Sequence, residues 1–222
     1  MNPPHHGGGE GEWERAYLAF ESPEEETAKF VRRLRRLAIG PPSEDLRVLE
    51  LFAGRANGLS ALARLGFRRL FALDRSLRLL GSSGWRARSS AGDARQLPYR
   101  DGTVDVVVIQ GGLHHLEVLP EDFDATLEEI VRVLKPSGRL FVVEPDRTPF
   151  LAAVHAICRW RIARKLSRKV DALARMIELE SPTYEQWLEQ GDRAVASLSA
   201  RFEMLVCERR WGKLLFAGRS RR

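Results

Sequence analysis

Short apolar stretches alternate with helical patterns along the first two thirds of this chain. Residues 47–51, 69–73, 104–109 and 139–143 predict buried strands, and residues 86–91 predict a weaker one. The stretch VDVVVI at 104–109 is almost continuously apolar, as expected for a strand that is covered on both faces of a parallel sheet. The alternation predicts an α/β fold with a doubly wound, mostly parallel sheet.

Helical patterns precede the first strand and fill two of the connections between strands. Residues 13–37 predict a helical N-terminal extension, within which Ser22, Pro23 and the acids that follow start a helix. Residues 58–65 and 121–134 predict helices that connect strands. A predicted helix thus follows the first strand and the strand at 104–109, which suits crossover connections between parallel neighbours.

The last third of the chain departs from this alternation. Residues 148–200 predict a long, mostly helical insertion, after which residues 202–210 and 213–219 read as two strands around Trp211 and Gly212. We expect this pair to close one edge of a seven-stranded sheet with an antiparallel C-terminal strand. A dinucleotide-binding domain is not expected to end in this way.

The chain divides into a short lead-in and one domain. Residues 1–12 are polar and rich in glycine, and we predict that they form a disordered lead-in. Residues 13–222 are predicted to form a single domain. Its parts are an N-terminal helical cap at 13–45, a core at 46–147, a helical lid at 148–200 and a closing hairpin at 201–222.

Composition narrows the class of protein and its partners. No apolar stretch approaches the roughly 20 residues that span a bilayer, and two cysteines without metal spacing indicate a reducing, cytoplasmic location. Neighbouring His5 and His6 in the lead-in are not expected to bind a metal. The net charge is +6, which admits nucleic acid or an anionic membrane as partners, although arginine-rich composition also occurs without either.

Five blocks at regular intervals carry the candidate chemistry. The first, VLELFAGRANG at 48–58, runs from a strand through Glu50 into a turn with Gly54 at a helix start, the arrangement that opens a nucleotide-type cofactor site. Asp74 then closes the second strand, and Asp93 lies in AGDARQLPYRDG. The last two blocks are VDVVVIQGG and VLKPSGRLFVVEP.

In their order and spacing, these blocks resemble the class I S-adenosylmethionine-dependent methyltransferases. The similarity is greatest to the type 11 group, which includes quinone-biosynthesis methyltransferases, and it covers residues 46–145 well. It implies the Rossmann-like methyltransferase fold and S-adenosyl-L-methionine as cofactor. The first block departs from the family pattern acid-x-Gly-x-Gly-x-Gly, because Phe52 stands at the first glycine position and Ala56 at the third.

The resemblance implies a role for particular residues. Asp74 accepts the ribose hydroxyls, and Arg75 either lies along the adenine or is solvated. Asp93 takes the adenine amino group while the backbone of Ala94 meets a ring nitrogen. Glu50 lies near the methionine ammonium. The cofactor-binding residues expected on this basis are Glu50, Gly54, Ala56, Asp74, Arg75, Asp93, Ala94, Gln110 and Gly111.

His114 and His115 follow the fourth strand, and two interpretations stay open. An imidazole there can act as a general base towards a phenol or enol. Alternatively, the pair packs or lines the pocket, which the family pattern favours. No cluster of acids indicates a metal site, so we expect no metal.

The expected function is methyl transfer from S-adenosylmethionine to a small, apolar or aromatic molecule. One alternative is an RNA-modifying methyltransferase, but neither Asn/Asp-Pro-Pro-Tyr/Phe nor a nucleophilic cysteine after proline is present, so nucleic acid is disfavoured. Another is a family member that binds the cofactor without activity. A nicotinamide-binding protein is disfavoured because G-x-G-x-x-G is missing.

The helical insertion is the part expected to choose the acceptor. Its apolar residues Leu151, Val154, Cys158, Ile162 and Leu166 share one predicted helical face. The opposite side is basic, which indicates either a solvated lid or weak peripheral contact with an anionic membrane. The basic residues are Arg159, Arg161, Arg164, Lys165, Arg168 and Lys169.

Overall fold

A computed structural model describes residues 9–85 and 88–222. Its centre is a seven-stranded sheet with the strand order β3-β2-β1-β4-β5-β7-β6. The first five strands pair in parallel, whereas β7 is antiparallel to both β5 and β6. This confirms the predicted α/β fold class. The strands are β1 Arg47–Leu51, β2 Arg69–Asp74, β3 Ser89–Ala91, β4 Val104–Gln110, β5 Leu134–Pro145, β6 Phe202–Arg210 and β7 Lys213–Ser220.

Helices cover both faces of the sheet, and α2 begins with a complete capping box. The Ser22 hydroxyl accepts from the Glu25 backbone at 3.2 Å, and the Glu25 carboxylate accepts from the Ser22 backbone at 2.9 Å. Among the described residues, no helix combines the length and apolar character needed to cross a bilayer. The helices are α1 Gly9–Phe20, α2 Pro23–Arg36, α3 Asn57–Arg64, α4 Leu77–Gly81, α5 Glu121–Val133, α6 Pro149–Arg159, α7 Arg161–Leu166, α8 Arg168–Glu189 and α9 Gly191–Arg201.

The hydrophobic core forms two layers, because alternate residues of each central strand point to opposite faces. On one face, Leu49, Val107 and Leu140 pack with apolar residues of α5, α8 and α9. On the other face, Val48 and Val106 pack with residues of α2 and α3. The insertion is thus part of the core packing, because α8 and α9 cover one side of the sheet.

Two predicted boundaries need correction. The lead-in was expected to reach residue 12, but α1 begins at Gly9, where its packing on α8 provides a tertiary partner that the local sequence does not reveal. Residues 1–8, with His5 and His6, lie outside the described residues. The weak third strand begins at Ser89, and residues 86–87 of its predicted start also lie outside the described part.

The expectation of one apolar face along the insertion is also wrong. Cys158 is buried as expected, but Ile162 and Leu166 are exposed. The reason is a break at Trp160, whose backbone is extended (φ −79°, ψ 108°), so α6 ends and α7 begins in a different phase. Apolar side chains beyond the break consequently face outwards.

Candidate active site

The candidate site lies where the parallel strands end. Glu50, Asp74, Gln110 and Glu144 stand at or near the carboxyl ends of β1, β2, β4 and β5, which are neighbours in the sheet. Open α/β sheets place their ligand sites at this edge. The order of the strands therefore brings together three of the residues predicted from sequence and adds Glu144, which was not predicted.

Glu50 is a buried acid held beneath the first turn of α3. Its Oε2 atom accepts a hydrogen bond from the Leu59 backbone at 2.9 Å. Burial, followed by the negative charge of Glu26 on α2, raises the pKa of Glu50 well above its ordinary value. Glu26 is itself buried and accepts from the Asn57 amide at 2.6 Å. Two neighbouring buried carboxylates form an environment suited to a cation, such as the ammonium of a methionine moiety.

The turn after β1 is built from left-handed residues. Phe52, Gly54 and Ala56 all have positive φ, of 55°, 50° and 57°. No atom of residues 9–85 or 88–222 would lie within 4 Å of a β-carbon on Gly54, so the described part of the chain leaves open space at this point of the turn. The Phe52 side chain instead packs over Gly112, where an added β-carbon would lie 2.2 Å from the Phe52 β-carbon. The absence of a side chain at Gly112 thus accommodates the unusual Phe52.

Asp74 ties the turn to the end of β2. Its two carboxylate oxygens accept from the Gly54 and Ser76 backbones, each at 2.8 Å. Each oxygen retains a further acceptor position, so the carboxylate can still receive the hydroxyls of a ribose. The adjacent Arg75 is exposed and pairs with Glu117 at 3.3 Å, a contact that suits the solvated interpretation of this arginine.

Asp93, which is predicted to bind the adenine amino group, already accepts hydrogen bonds from a neighbouring arginine. The Arg95 side chain donates to both of its carboxylate oxygens, and the shortest of these contacts is 2.6 Å. This hydrogen bonding lowers the pKa of Asp93. Arg95 also binds Asp122 on α5 at 2.7 Å. Ala94 is buried in the core. An adenine amino group would therefore share the Asp93 carboxylate with Arg95.

The end of β4 presents a buried amide without a partner. Both side-chain polar atoms of Gln110 are buried and unbonded among the described residues. The next residue, Gly111, has φ +80° and donates its N–H to the Val143 carbonyl at 2.8 Å. Buried polar groups are normally hydrogen-bonded, so an unpaired amide beside the site indicates a position where a ligand can supply the partner.

Glu144 is the anchor of the loop that carries the two histidines. It is fully buried, and its Oε1 atom accepts from the backbones of Gly112 and Leu113 at 2.7 and 2.8 Å. Its Oε2 atom lies 2.8 Å from His114 Nδ1. Because an ionised carboxylate only accepts, the proton of a neutral His114 belongs on Nδ1, and Nε2 is left with its lone pair.

A second acid approaches these rings from α8. Glu180 Oε2 lies 3.7 Å from His114 Nε2, and Glu180 Oε1 lies 3.9 Å from His115 Nε2. Trp13 of α1 donates its indole N–H to the same carboxylate. Burial raises the pKa of Glu180. His115 is 41% exposed but has protein atoms on its other sides, and this desolvation, with His114 beside it, lowers its pKa.

His114, His115 and Glu180 could together hold a metal ion, because one ligand atom from each lies within 4.8 Å of the others. The same three groups also suit proton exchange with a hydroxyl group of an acceptor molecule. The prediction that no metal is needed stays a prediction. Glu180 itself was missed because no local pattern marks it, whereas Glu144 could have been found at the end of VVEP in the fifth block.

The site residues fit S-adenosylmethionine on three observations of this chain. Glu50 and Glu26 place two buried carboxyl groups where its ammonium could bind, Gly54 leaves open space at the turn, and the Gln110 amide lacks a partner among the described residues. Asp74 adds the carboxylate for its ribose. The chemistry of this set corresponds to a ligand that carries a cation, a diol and a polar chain.

Comparison with known proteins places the chain in a sequence family. Residues 49–142 match the family described as "Methyltransferase domain". A demethylmenaquinone methyltransferase of Mycolicibacterium vanbaalenii is 33% identical over 179 residues, which cover 79% of this chain and 73% of that protein. Its counterpart in Mycobacterium marinum is 36% identical over 149 residues, covering 66% of this chain. The match covers only 61% of the length of the Mycobacterium marinum protein.

Solved structures share the fold at low sequence identity. A protein from Pyrococcus horikoshii OT3 has a TM-score of 0.66 and 19% identity, with 95% of this chain and 99% of that chain covered. A SAM-dependent methyltransferase from Aquifex aeolicus has a TM-score of 0.53 and 16% identity, covering 95% and 96%. These likenesses extend over the helical insertion as well as the sheet.

Proposed function

The chain belongs to the class I S-adenosylmethionine-dependent methyltransferases, in the type 11 group, and from this premise we propose that it methylates a small hydroxylated aromatic molecule of the quinone type. The names of the relatives motivate the acceptor class. The observation that carries the proposal is the buried His114–Glu144 pair, which faces Glu180 and His115 at the end of β4.

The cofactor would be held by Glu50, Asp74 and Gln110, with Ala56 and Gly111 supplying backbone and Asp93 and Ala94 on the adenine side. Bound S-adenosylmethionine supplies a methyl group that its sulfonium already activates. The protein then needs mainly to align the acceptor and to exclude water.

His114 is proposed to receive the proton of the acceptor hydroxyl. The Glu144 carboxylate holds Nδ1–H, so Nε2 points its lone pair away from Glu144 and can accept that proton. The resulting imidazolium is stabilised by the same carboxylate. Loss of the proton makes the ring of a phenol-type acceptor more electron-rich, and therefore a better nucleophile, at the moment of transfer.

Aromatic side chains form the surroundings of this pair. Trp13 stacks on Tyr17 at 5.0 Å between ring centroids and meets His115 edge-on at 6.3 Å. The Tyr184 ring meets His114 edge-on at 5.7 Å. Flat, apolar surfaces of this kind suit an aromatic acceptor better than a charged one.

Weak peripheral contact with an anionic membrane and a cytoplasmic location are part of the proposal. A quinone with a hydrocarbon tail partitions into the bilayer, so an enzyme that acts on it from the water phase gains by approaching the lipid surface. RNA is disfavoured as an acceptor because the groups that surround His114 are aromatic and acidic.

The test separates cofactor binding from transfer. Calorimetry measures the binding of S-adenosylmethionine and its demethylated product, and mass spectrometry then follows methyl transfer to a short-tailed demethylmenaquinol and to a total RNA pool. We expect both ligands to bind and the quinol alone to gain a methyl group. Methylated RNA with unchanged quinol would overturn the proposal. Binding of the cofactor without transfer to either acceptor would instead identify an inactive family member.

A further inference from the structure

The outer surface of α6 and α7 exposes large apolar side chains. Trp160 is 60% exposed and Leu166 is 83% exposed. Trp211, at the turn between β6 and β7, extends this surface because its ring meets Phe150 edge-on at 5.2 Å between centroids. We call this set the α6–α7 apolar surface. It consists of Phe150, Ile157, Trp160, Ile162, Leu166 and Trp211.

The charged side chains of the segment that forms α6 and α7 are all basic. Residues 149–169 contain six Lys and Arg and no Asp or Glu. Arg164 and Lys169 pair with acids of α8 and α2. No salt bridge to the others is found within residues 9–85 and 88–222. These basic residues are Arg159, Arg161, Lys165 and Arg168.

The inner side of α6 connects the surface to the candidate site. His155 on that helix lies 3.2 Å from the Tyr184 hydroxyl, and the Tyr184 ring packs against His114. Leu151 packs against the turn at Gly212. Arg164 fixes α7 to α8 by binding Asp171 at 2.9 Å. The surface is therefore held by packed contacts, and His155 and Tyr184 link its first helix to His114.

From this arrangement we propose that the α6–α7 apolar surface docks on an anionic phospholipid bilayer. Exposed aliphatic side chains between cations, with tryptophans among them, are the features of an interfacial helix pair. A second copy of the chain is a poor occupant, because two such surfaces would bring like charges together. Nucleic acid would use the cations but would leave the aliphatic side chains in water.

This inference rests on the membrane contact that the proposed function includes, and it names the surface responsible. Vesicle co-sedimentation tests it without any acceptor or methyl donor, so its failure can be distinguished from a failure of the proposed methyl transfer. The parent is compared on vesicles of phosphatidylcholine with roughly one quarter phosphatidylglycerol and on pure phosphatidylcholine. We expect about tenfold stronger binding to the anionic vesicles and its loss at about 0.5 M salt.

Paired variants separate the apolar and the charged contributions. The double variant Trp160→Ser, Ile162→Ser should bind the anionic vesicles at least about tenfold more weakly. Arg161→Gln with Lys165→Gln should weaken binding and flatten its dependence on salt. Leu205→Ser, at an exposed apolar position on β6, is the matched control and should bind like the parent.

Lipid that carries bromine on its acyl chains reports the depth of insertion. We expect it to quench tryptophan fluorescence in the parent and clearly less in the Trp160→Phe variant. Equal binding by the parent and the Trp160→Ser, Ile162→Ser variant, or no binding to anionic vesicles, would overturn the inference. Dimerisation in light scattering that the same double variant abolishes would assign the surface to a second copy.

Discussion

The carboxylate of Glu50 occupies the space in which a side chain on Gly58 would begin. A β-carbon on Gly58 would lie 1.7 Å from Glu50 Oε1. The two residues are linked by the turn that opens the cofactor half of the site, since Glu50 also accepts from the Leu59 backbone. Gly58 must therefore lack a side chain because the buried Glu50 carboxylate fills that space, whether or not Gly58 also contacts a ligand.

Gly58→Ala should lower the free energy of unfolding by about 1–3 kcal/mol, because the added methyl group displaces a buried carboxylate from its hydrogen bond. Urea denaturation measures the change. Gly81→Ala is the control, since a β-carbon there would meet no atom of the described residues within 4 Å. If both variants unfold at the same urea concentration, Glu50 and Gly58 are not packed as described.

Asp74→Asn should weaken binding of S-adenosylmethionine by about 1–3 kcal/mol, because the amide nitrogen cannot accept from Gly54, Ser76 or a ribose hydroxyl. Calorimetry measures this loss. Asp45→Asn is the matched control, because Asp45 is 92% exposed and precedes β1 at the opposite edge of the sheet. Unchanged affinity in the Asp74 variant would refute its ribose role.

Glu144→Gln should reduce turnover by about 10²–10⁴ while cofactor affinity stays near that of the parent. The glutamine oxygen can still accept from Gly112 and Leu113, but its NH₂ group would face His114 Nδ1 and reverse the tautomer. Steady-state kinetics over a range of pH, with calorimetry on the same preparation, provide the readout.

The control for that variant is Glu185→Gln, an exposed position on α8. A Glu144→Gln enzyme with full turnover and an unaltered pH profile would show that His114 only lines the pocket. A general loss of folding would be visible as a lowered unfolding temperature, so it can be distinguished from a specific loss of proton transfer.

Lys213→Met should stabilise the protein, and more so at low pH. Burial, and then the charge of Arg33, lower the pKa of Lys213 from 10.5 to about 7, with Lys29 also lowering it and Glu144 and Glu180 opposing. Between these two pKa values the unfolded chain binds more protons, so the stability of the parent rises with pH across that window. Below pH 7 the full cost of burying the charge is present.

The measurement is urea denaturation of parent and variant at about pH 6.5 and about pH 9.5. We expect the gain in free energy of unfolding that Lys213→Met gives over the parent to be smaller at the higher pH than at the lower pH. The exposed Lys165→Met variant should differ from the parent by the same small amount at both. An advantage of Lys213→Met that grows with pH would contradict the depressed pKa.

Much of the cofactor-binding half of the site could be predicted from the sequence, because its residues lie at the ends of predicted strands or in the turns that directly follow them. Asp74 ends a strand and Gly54 lies in the turn after the strand beside it, so their meeting follows once β1 and β2 pair in parallel. The interaction of Asp93 with Arg95 could not be foreseen, because its two residues could equally have faced solvent.

The acceptor half depends on contacts across the chain. Glu144 lies in a block that the sequence marks, yet its role appears only when β5 sits beside β4 and brings the carboxylate to the His114 loop. Glu180 reaches the same histidines from α8, in a helix with no local mark of function. Hydrogen bonds between distant segments leave no periodic pattern in sequence.

The sequence by itself determined the α/β class, the antiparallel closing strand and the turn at Gly54, because strand, helix and turn preferences act over a few neighbouring residues. Only the tertiary structure decided that Glu180 joins the histidines and that Ile162 and Leu166 face outwards. The extended backbone at Trp160 changes the direction of the chain, and this changes which side chains of α7 are exposed. Local sequence preferences do not determine such a change of direction, which depends on how whole helices and strands pack together.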